Sequence, residues 1–249
     1  MAGAPILAFD VGGSFIKAGL VEVASGRVVG ESLRRPTPQG AAPQEVIDLL
    51  VVLAAELPSN GAVGFAMPAV TKQGVTWTAA HIDPRWIGTN AAALLDARLH
   101  RPVTLLNDAD AAGVAEMTLG AGQGRDGTVM VLTLGTGIGT ALFVDGRLLP
   151  NTELGHLEVH GLEAEQRASA KVRTDRQLGW DAWAAEVNTV LASYQALFWP
   201  DLFIIGGGVT ENWQSFAPRL RSRAGIVRAR FGNDAGIIGA ALAASADNP

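Results

Sequence analysis

One short plan occurs twice in this chain. ILAFDVGGSFIKAGLVEVASGRVVGE (6–31) and VMVLTLGTGIGTALFVDGRLLPN (129–151) each run as an apolar strand, a small-residue turn, a second strand, a polar turn and a third strand. The polar turn carries Gly-Arg both times, at 26–27 and 146–147. Solenoid repeats return every ~20–50 residues, so a copy this distant is not one of them. The pattern predicts a duplicated domain, each half opening with a β-hairpin, with the two halves facing each other around a central cleft. A length of 249 residues gives both halves enough chain to bury a core.

Between the two copies, strands and helices alternate. PILAFDV (5–11) is a buried-strand run, followed by strands over 16–23 and 27–33. Helical spacing over 44–57, a short strand at 62–67 and a helix at 90–99 lead to PVTLLND (102–108), a strand ending in polar residues with a helix behind it. Strands are expected at 128–134, 140–144 and 202–205, with helices at 181–198 and 235–244. The polar stretch 163–178 reads as a surface helix or loop. Alternation of this kind argues an α/β fold. The expected division is 1–107 and 108–249, with the final helix, 235–249, free to pack back on the N-terminal half.

Composition excludes several classes. No apolar run approaches the ~20 residues a bilayer requires, and no secretory signal opens the chain. With no cysteine there are no disulfides and no thiolate metal sites, which fits a cytoplasmic protein. A net charge of −5 gives no reason to expect nucleic acid as a partner, and no membrane partner is expected either.

The two turns carry the chemistry. In DVGGS (10–14), Gly12 and Gly13 let backbone N–H groups approach phosphate oxygens closely, and Ser14 and Lys17 add a hydroxyl and a charge. Strand alternation leaves open whether Lys17 points away from the cleft. Asp10, at the strand end, can hold Mg²⁺ through water, because that ion keeps most of its hydration shell. In TLGTGIGT (133–140), Thr133 and Thr136 offer hydroxyls while Gly135 and Gly137 clear the backbone. Either turn alone is also what a tight hairpin needs; it is the matched pair that suggests a phosphate chain held from both ends. Neither fits GxxxxGK[ST], which excludes a P-loop enzyme. Gly206, Gly207 and Gly208, between a strand and an expected helix from Trp213, suit a phosphate at a helix N-terminus, or a close strand-to-helix crossover.

The reactive group is expected where LLND (105–108) ends. Asp108 can accept a proton from an alcohol, since an aspartate's ordinary pKa of about 4 leaves it ionised at neutral pH. Asn107 offers a donor and an acceptor to a second hydroxyl. Either residue can equally cap the following helix, and Asp110 is the rival base. NTELGHLE (151–158) gathers Glu153, His156 and Glu158 around Gly155, a set suited to vicinal sugar hydroxyls. A metal site is the weaker reading, because zinc sites take at least three protein ligands. Of the tryptophans, only Trp86 is retained as a sugar-stacking candidate; His100 and His160 are expected at the surface.

ILAFDVGGSFIKAG, LLNDADAAGVAE, GTVMVLTLGTGIGTALFVDGRLLPNTELGHLE and PDLFIIGGGV together resemble the ROK-type sugar kinases. Within that family they look most like the actinobacterial polyphosphate glucokinases and polyphosphate/ATP-glucomannokinases. The resemblance runs from Ile6 to Ala244. It implies an actin-like ATPase (ribonuclease H-like) fold, a homodimer, Mg²⁺ dependence and transfer of phosphate from polyphosphate and/or ATP to the 6-hydroxyl of glucose. By motif, Asp108 is the base, Asn107, Glu153 and His156 contact sugar, and the turns at 10–14 and 133–137 hold the donor. Glu165, four residues before Ser169, stands at a further sugar-ligand position.

The chain departs from the family pattern at Ala69, where Pro-Gly is usual, and at His81, where Asn is usual; a cysteine-rich zinc motif is absent. Hexose preference therefore stays open, and an ATP-dependent kinase for mannose or a similar hexose is the alternative. A sugar-binding regulator shares the core but needs a DNA-binding module, and only five residues precede Ile6. A chaperone-type ATPase needs more chain. The donor also stays open. Arg219, Arg221, Arg223, Arg228 and Arg230 contain no acid among them and form either a polyanion track or a solvated face.

Overall fold

The computed structural model describes residues 3–80 and 82–246. The chain divides into two compact units, residues 1–115 with 234–249, and residues 116–233. The sequence suggests 107/108 as the boundary, whereas the division falls at 115/116, inside a helix; the C-terminal segment groups with the first unit, where the final helix was expected to be free to pack.

The first unit opens with strands β1 (Ile6–Val11), β2 (Phe15–Glu22) and β3 (Arg27–Pro36), joined by tight turns into an antiparallel meander. Helix α1 (Pro43–Glu56) comes next, with proline at its first position, where a missing N–H costs no hydrogen bond. It buries Val46, Ile47, Leu50 and Leu53, one stripe of a 3.6-residue period. Strand β4 (Val63–Met67) is wholly buried and lies parallel to β1. A small hairpin, β5 (Thr71–Lys72) and β6 (Val75–Thr76), leads to α2 (Ala91–Leu99), capped by the Asn90 side chain. Strand β7 (Val103–Asn107) adds parallel to β4 and runs directly into α3 (Asp108–Leu119). The sheet order is β3-β2-β1-β4-β7.

The second unit repeats this design. Strands β8 (Thr128–Leu134), β9 (Ile138–Val144) and β10 (Arg147–Leu149) form the meander. A short ribbon, β11 (Glu158–Val159) with β12 (Leu162–Glu163), precedes helices α4 (Ala164–Ala168), α5 (Ala170–Asp175) and α6 (Trp180–Phe198). Strand β13 (Leu202–Gly206) lies parallel to β8; after the short helix α7 (Trp213–Phe216), strand β14 (Gly225–Arg228) lies parallel to β13. The order β10-β9-β8-β13-β14 matches the first sheet strand for strand. The predicted polar surface stretch is thus two short helices, and Ala164, Ala168 and Ser169 inside it are buried. Trp180, Trp183, Trp213 and Phe216 pack edge-on and stacked; Trp183 lies in the core, and Trp180 and Trp213 pack against it, half-buried.

The chain ends in α8 (Ala235–Ala246), which packs on the first unit's sheet. Register decides which face it meets. Ala8 pairs with Gly19 and Gly64, and Asp10 with Lys17 and Ala66, so these side chains share one face. Leu7, Phe9, Val11, Ile16 and Phe65 share the other, in a core with α1 and α2. On the helix side the contact is backbone to backbone. A Cβ on Gly64 would lie 2.2 Å from the Ala240 carbonyl oxygen, and one on Gly239 only 1.6 Å from that of Ala111. This crowding sets the cost of substitution. Gly64→Ala has no flexible side chain to displace and should cost ~3 kcal/mol or more, as overpacking of a rigid contact does. Val52→Ala, on the exposed face of α1, should stay within about 0.5 kcal/mol. Denaturant midpoints of the two variants check the contrast; similar midpoints would mean that α8 shifts freely.

Candidate active site

The first unit places Asp10 at the end of β1, immediately before the glycine turn. The turn closes with the Gly12 N–H donating to the Phe15 carbonyl at 2.9 Å. Thr37 braces it from just past the end of β3: its hydroxyl donates to the Gly12 carbonyl at 2.6 Å, and its N–H to the Ser14 carbonyl at 3.0 Å. Gly13 and Ser14 stay exposed. Burial pushes the Asp10 carboxyl from 3.8 up to about 6, against the opposing charge of Lys17. Lys17 therefore shares Asp10's face, which settles the direction that alternation left open. Its ammonium pairs with Asp234 at 2.9 Å. The first turn of α8 lies against the carboxylate: a Cβ on Gly236 would sit 2.3 Å from Asp10 Oδ2.

At the end of β7, Asn107 and Asp108 divide the work. Asn107 is buried; its Oδ1 accepts the Asp110 N–H at 3.0 Å, so it is the residue that caps α3. Its Nδ2 donates to the Ala69 carbonyl at 3.2 Å. Asp108 is the first residue of α3, and its Oδ1 accepts the N–H of Ala109 at 2.8 Å. Asp110, the rival base, is 2% exposed, too enclosed to meet a substrate hydroxyl.

In the second unit, the turn after β8 closes with the Gly135 N–H donating to the Gly137 carbonyl at 3.0 Å. The Lys171 N–H, from α5, donates to the Gly135 carbonyl at 3.1 Å. Thr133 lies on β8, opposite Gly206 of β13, and Thr136 is exposed at the tip. Gly207 has φ +87°, and a Cβ there would lie 2.4 Å from the Leu134 carbonyl oxygen. The two glycine runs therefore meet in this unit. Beyond Gly207 the chain forms a 3₁₀ turn over Gly208–Asn212 and the four-residue α7. This corrects the expected helix N-terminus: so short a helix has little dipole to offer an anion.

The loop 151–158 is pinned on three sides. The Thr140 hydroxyl accepts the Leu154 N–H at 3.2 Å, and the Thr152 hydroxyl donates to the Thr140 carbonyl at 3.1 Å. A Cβ on Gly155 would meet the Ile138 carbonyl at 2.1 Å. Beneath it, the buried Tyr194 hydroxyl donates to the Leu154 carbonyl at 2.8 Å. Burial and then the charge of Glu165 push that phenol's pKa up. The loop carries Glu153, exposed, and His156. His156 Nδ1 lies 3.3 Å from Glu163 and 3.9 Å from Glu165, whose other oxygen accepts the Ile138 N–H at 3.4 Å. One ligand atom from each of His156, Glu163 and Glu165 lies within 4.8 Å of the others. Glu163 was not singled out from the sequence, nor were Thr37, Asp234, Thr140 or Tyr194; each acts through a contact between separate elements, from 7 to 217 residues apart along the chain.

Other candidates fall elsewhere. Trp86 is fully buried, with its indole N–H donating to the Ala41 carbonyl at 2.7 Å, so it cannot stack on a sugar. His100 and His160 are exposed; His81 lies outside the described residues. The arginine run is not one row. Arg219 pairs with Asp181, Arg221 donates to the carbonyls of Pro218 and Leu220, and Arg223 stacks over Trp199. Arg228 stands at the end of β14 and Arg230 donates to the Leu119 carbonyl.

Residues 6–170 match the model of the ROK family. The chain is 45% identical, over 96% of its length and 90% of the relative's, to a polyphosphate glucokinase of Mycobacterium tuberculosis. Its fold is similar to that of an inorganic polyphosphate/ATP-glucomannokinase from Arthrobacter sp. strain KM. That match has TM-score 0.95 and 44% identity, and covers 99% of this chain and 100% of the other. A ROK family glucokinase from Streptomyces griseus, solved with glucose and AMPPNP, matches with TM-score 0.82 and 27% identity over 97% and 99% of the two chains.

The Asp10 environment has a consequence for stability. Its folded pKa lies above the ordinary 3.8, so the folded state holds this proton more tightly than the unfolded one. The site costs nothing below pH ~4, and stability is lost as pH rises from there through about 6. The gap corresponds to ~3 kcal/mol. Asp10→Asn should therefore be more stable than the parent by up to ~3 kcal/mol at pH 8, and equal to it near pH 4. Denaturant unfolding without divalent metal at the two pH values measures this. A constant difference would assign the effect to packing.

Proposed function

The chain belongs to the ROK family, and we propose that it is a glucokinase moving the terminal phosphoryl group of polyphosphate and/or ATP to the 6-hydroxyl of glucose. The observation that carries this reading is the match, nearly end to end in sequence and fold, to proteins named for that chemistry. The fold is the actin-like ATPase fold of the ROK sugar kinases. In this reading the sugar hydroxyl attacks the terminal phosphorus, a new P–O bond forms as the bond to the leaving phosphate breaks, and Asp108 takes the hydroxyl proton. Little basicity is needed, because proton transfer comes late in a loose phosphoryl transfer. Asn107, Glu153, His156 and Glu165 hold sugar hydroxyls; the Ile138 N–H holds the Glu165 side chain and the pinned loop holds the backbone that carries Glu153 and His156, which lowers the entropy lost on binding. The donor phosphates lie on the N–H groups and hydroxyls of Gly12, Gly13 and Ser14, Thr133, Gly135, Thr136 and Gly137, with Gly206, Gly207 and Gly208 and the charge of Lys17.

Mg²⁺, a homodimer and a cytoplasmic location complete the proposal. No helix among the described residues is long and apolar enough to cross a membrane. Asp10 fits a hydrated cation by its chemistry, an oxygen donor at the end of β1 directly before the glycine turn. Asp10 would hold Mg²⁺ through water, and the ion would offset charge on the donor phosphates.

Asp108→Asn keeps the shape but cannot accept a proton. It should lower kcat ~10²–10⁴-fold and leave glucose affinity close to that of the parent. A coupled assay for glucose 6-phosphate, with calorimetry for glucose binding, checks both halves. Retention of more than about a tenth of the activity would move the base to another residue.

A further inference from the structure

Asp10, Lys17 and Arg34 form a charged row across three neighbouring strands. Asp10 is the register partner of Lys17, and Lys17 of Arg34, so all three side chains leave the same face. Strands lie ~4.8 Å apart, so the row spans roughly 10 Å from the carboxylate to the outer strand. That outer strand, β3, is the edge of its sheet.

We propose that Arg34 is a further donor-binding residue, which takes phosphates of a linear polyphosphate lying past those held at the 12–14 turn. The inference rests on the polyphosphate reading of the donor. Three observations carry it. The Arg34 guanidinium lies 3.7 Å above the ring of Phe15, which is 43% exposed despite its size. A guanidinium seated on a ring face keeps its N–H donors available for bidentate contact with phosphate oxygens. Second, the neighbouring Arg35, on the opposite face, pairs with Glu56 at 2.8 Å, whereas no carboxylate among the described residues pairs with Arg34. Third, Thr37 ties the end of β3 to both Gly12 and Ser14, so Arg34 is held in fixed relation to the phosphate turn. A row that ends on an open sheet edge places no limit on ligand length. That suits a polyanion of indefinite length and gives nothing to a nucleotide, whose phosphates stop at three.

The test compares Arg34→Gln and Arg34→Lys with the parent, using long-chain polyphosphate and ATP as separate donors over a salt series. Calorimetry of long-chain polyphosphate without glucose gives a readout independent of turnover. In Arg34→Gln, polyphosphate KM and Kd should rise about tenfold, as for one lost charge-assisted contact. The salt dependence should flatten by about one phosphate contact, and ATP kinetics should stay within about twofold of the parent. Arg34→Lys should recover the salt dependence but only part of the affinity, because it keeps the charge without the fork. Unchanged polyphosphate binding, or equal losses with both donors, would overturn the assignment and leave Arg34 as a cover for Phe15. If the parent itself phosphorylates glucose from ATP but not from polyphosphate, the donor reading falls and the inference with it.

Discussion

The first unit depends on one contact, the backbone of α8 laid against the backbone of the sheet. Gly64 leaves no room for a methyl group beneath the Ala240 backbone, Gly19 faces the end of the Ile237 side chain, and Gly239 is crowded by the Ala111 backbone of α3. Glycines within strands and helices cost conformational entropy. Here that cost is offset by burial of Ile237, Ile238, Ala240, Ala241 and Ala244 in a helix too thin to pack at ordinary spacing. The same approach brings Gly236 to Asp10 and Asp234 to Lys17. A stability feature and a site feature are therefore one piece of geometry. The raised pKa of Asp10 shows the tension between them: a carboxylate useful to a cation is, without one, a buried charge the fold would do better without.

The second unit solves the same problem with different residues. Alignment of the two meanders sets Asp10 against Thr133 and Gly12 against Gly135. One copy thus keeps a carboxylate at the strand end while the other keeps a hydroxyl. Its close approaches are Gly207 over Leu134 and Gly155 over Ile138. Each fixes a loop that bears candidate ligands, one beside the 135–137 turn and the other carrying His156. Duplication supplied the frame, and divergence at the strand ends separated charge from hydrogen bonding.

What was legible in the sequence were features local along it. Strand β8 and the helices α1 and α6 fall within a residue of their expected bounds, because apolar periodicity is a local signal. DVGGS, LLND and ELGH could be singled out because their residue types are unusual for their neighbours. What stayed hidden depends on register or on distance. Alternation alone could not say which way Lys17 points until its pairing with Asp10 was known. Glu163 reaches His156 through a two-residue ribbon that no propensity marks. Trp86 has the composition of a binding aromatic and the environment of a core one. Three glycines in a row read as a phosphate cradle, yet the crowding of Gly207 against Leu134 gives one of them a packing reason first.

The Asn107 side chain links the capping of α3 to the loop after β4. By accepting the Asp110 N–H it takes the cap, so Asp108 is not needed for that purpose and stands at the first position of the helix. Its amide also holds the Ala69 carbonyl, and Ala69 in turn closes a tight turn by donating to the Met67 carbonyl at 2.9 Å. The contact uses a backbone oxygen that any residue would provide. An alanine where the family pattern has glycine therefore leaves this link intact; its methyl is buried and points into the unit rather than out of it. What a glycine at residue 69 would change is the backbone of the 68–70 loop, by widening the conformations open to it. The loop after β4 and the first turn of α3 are thus joined through one side chain, that of Asn107.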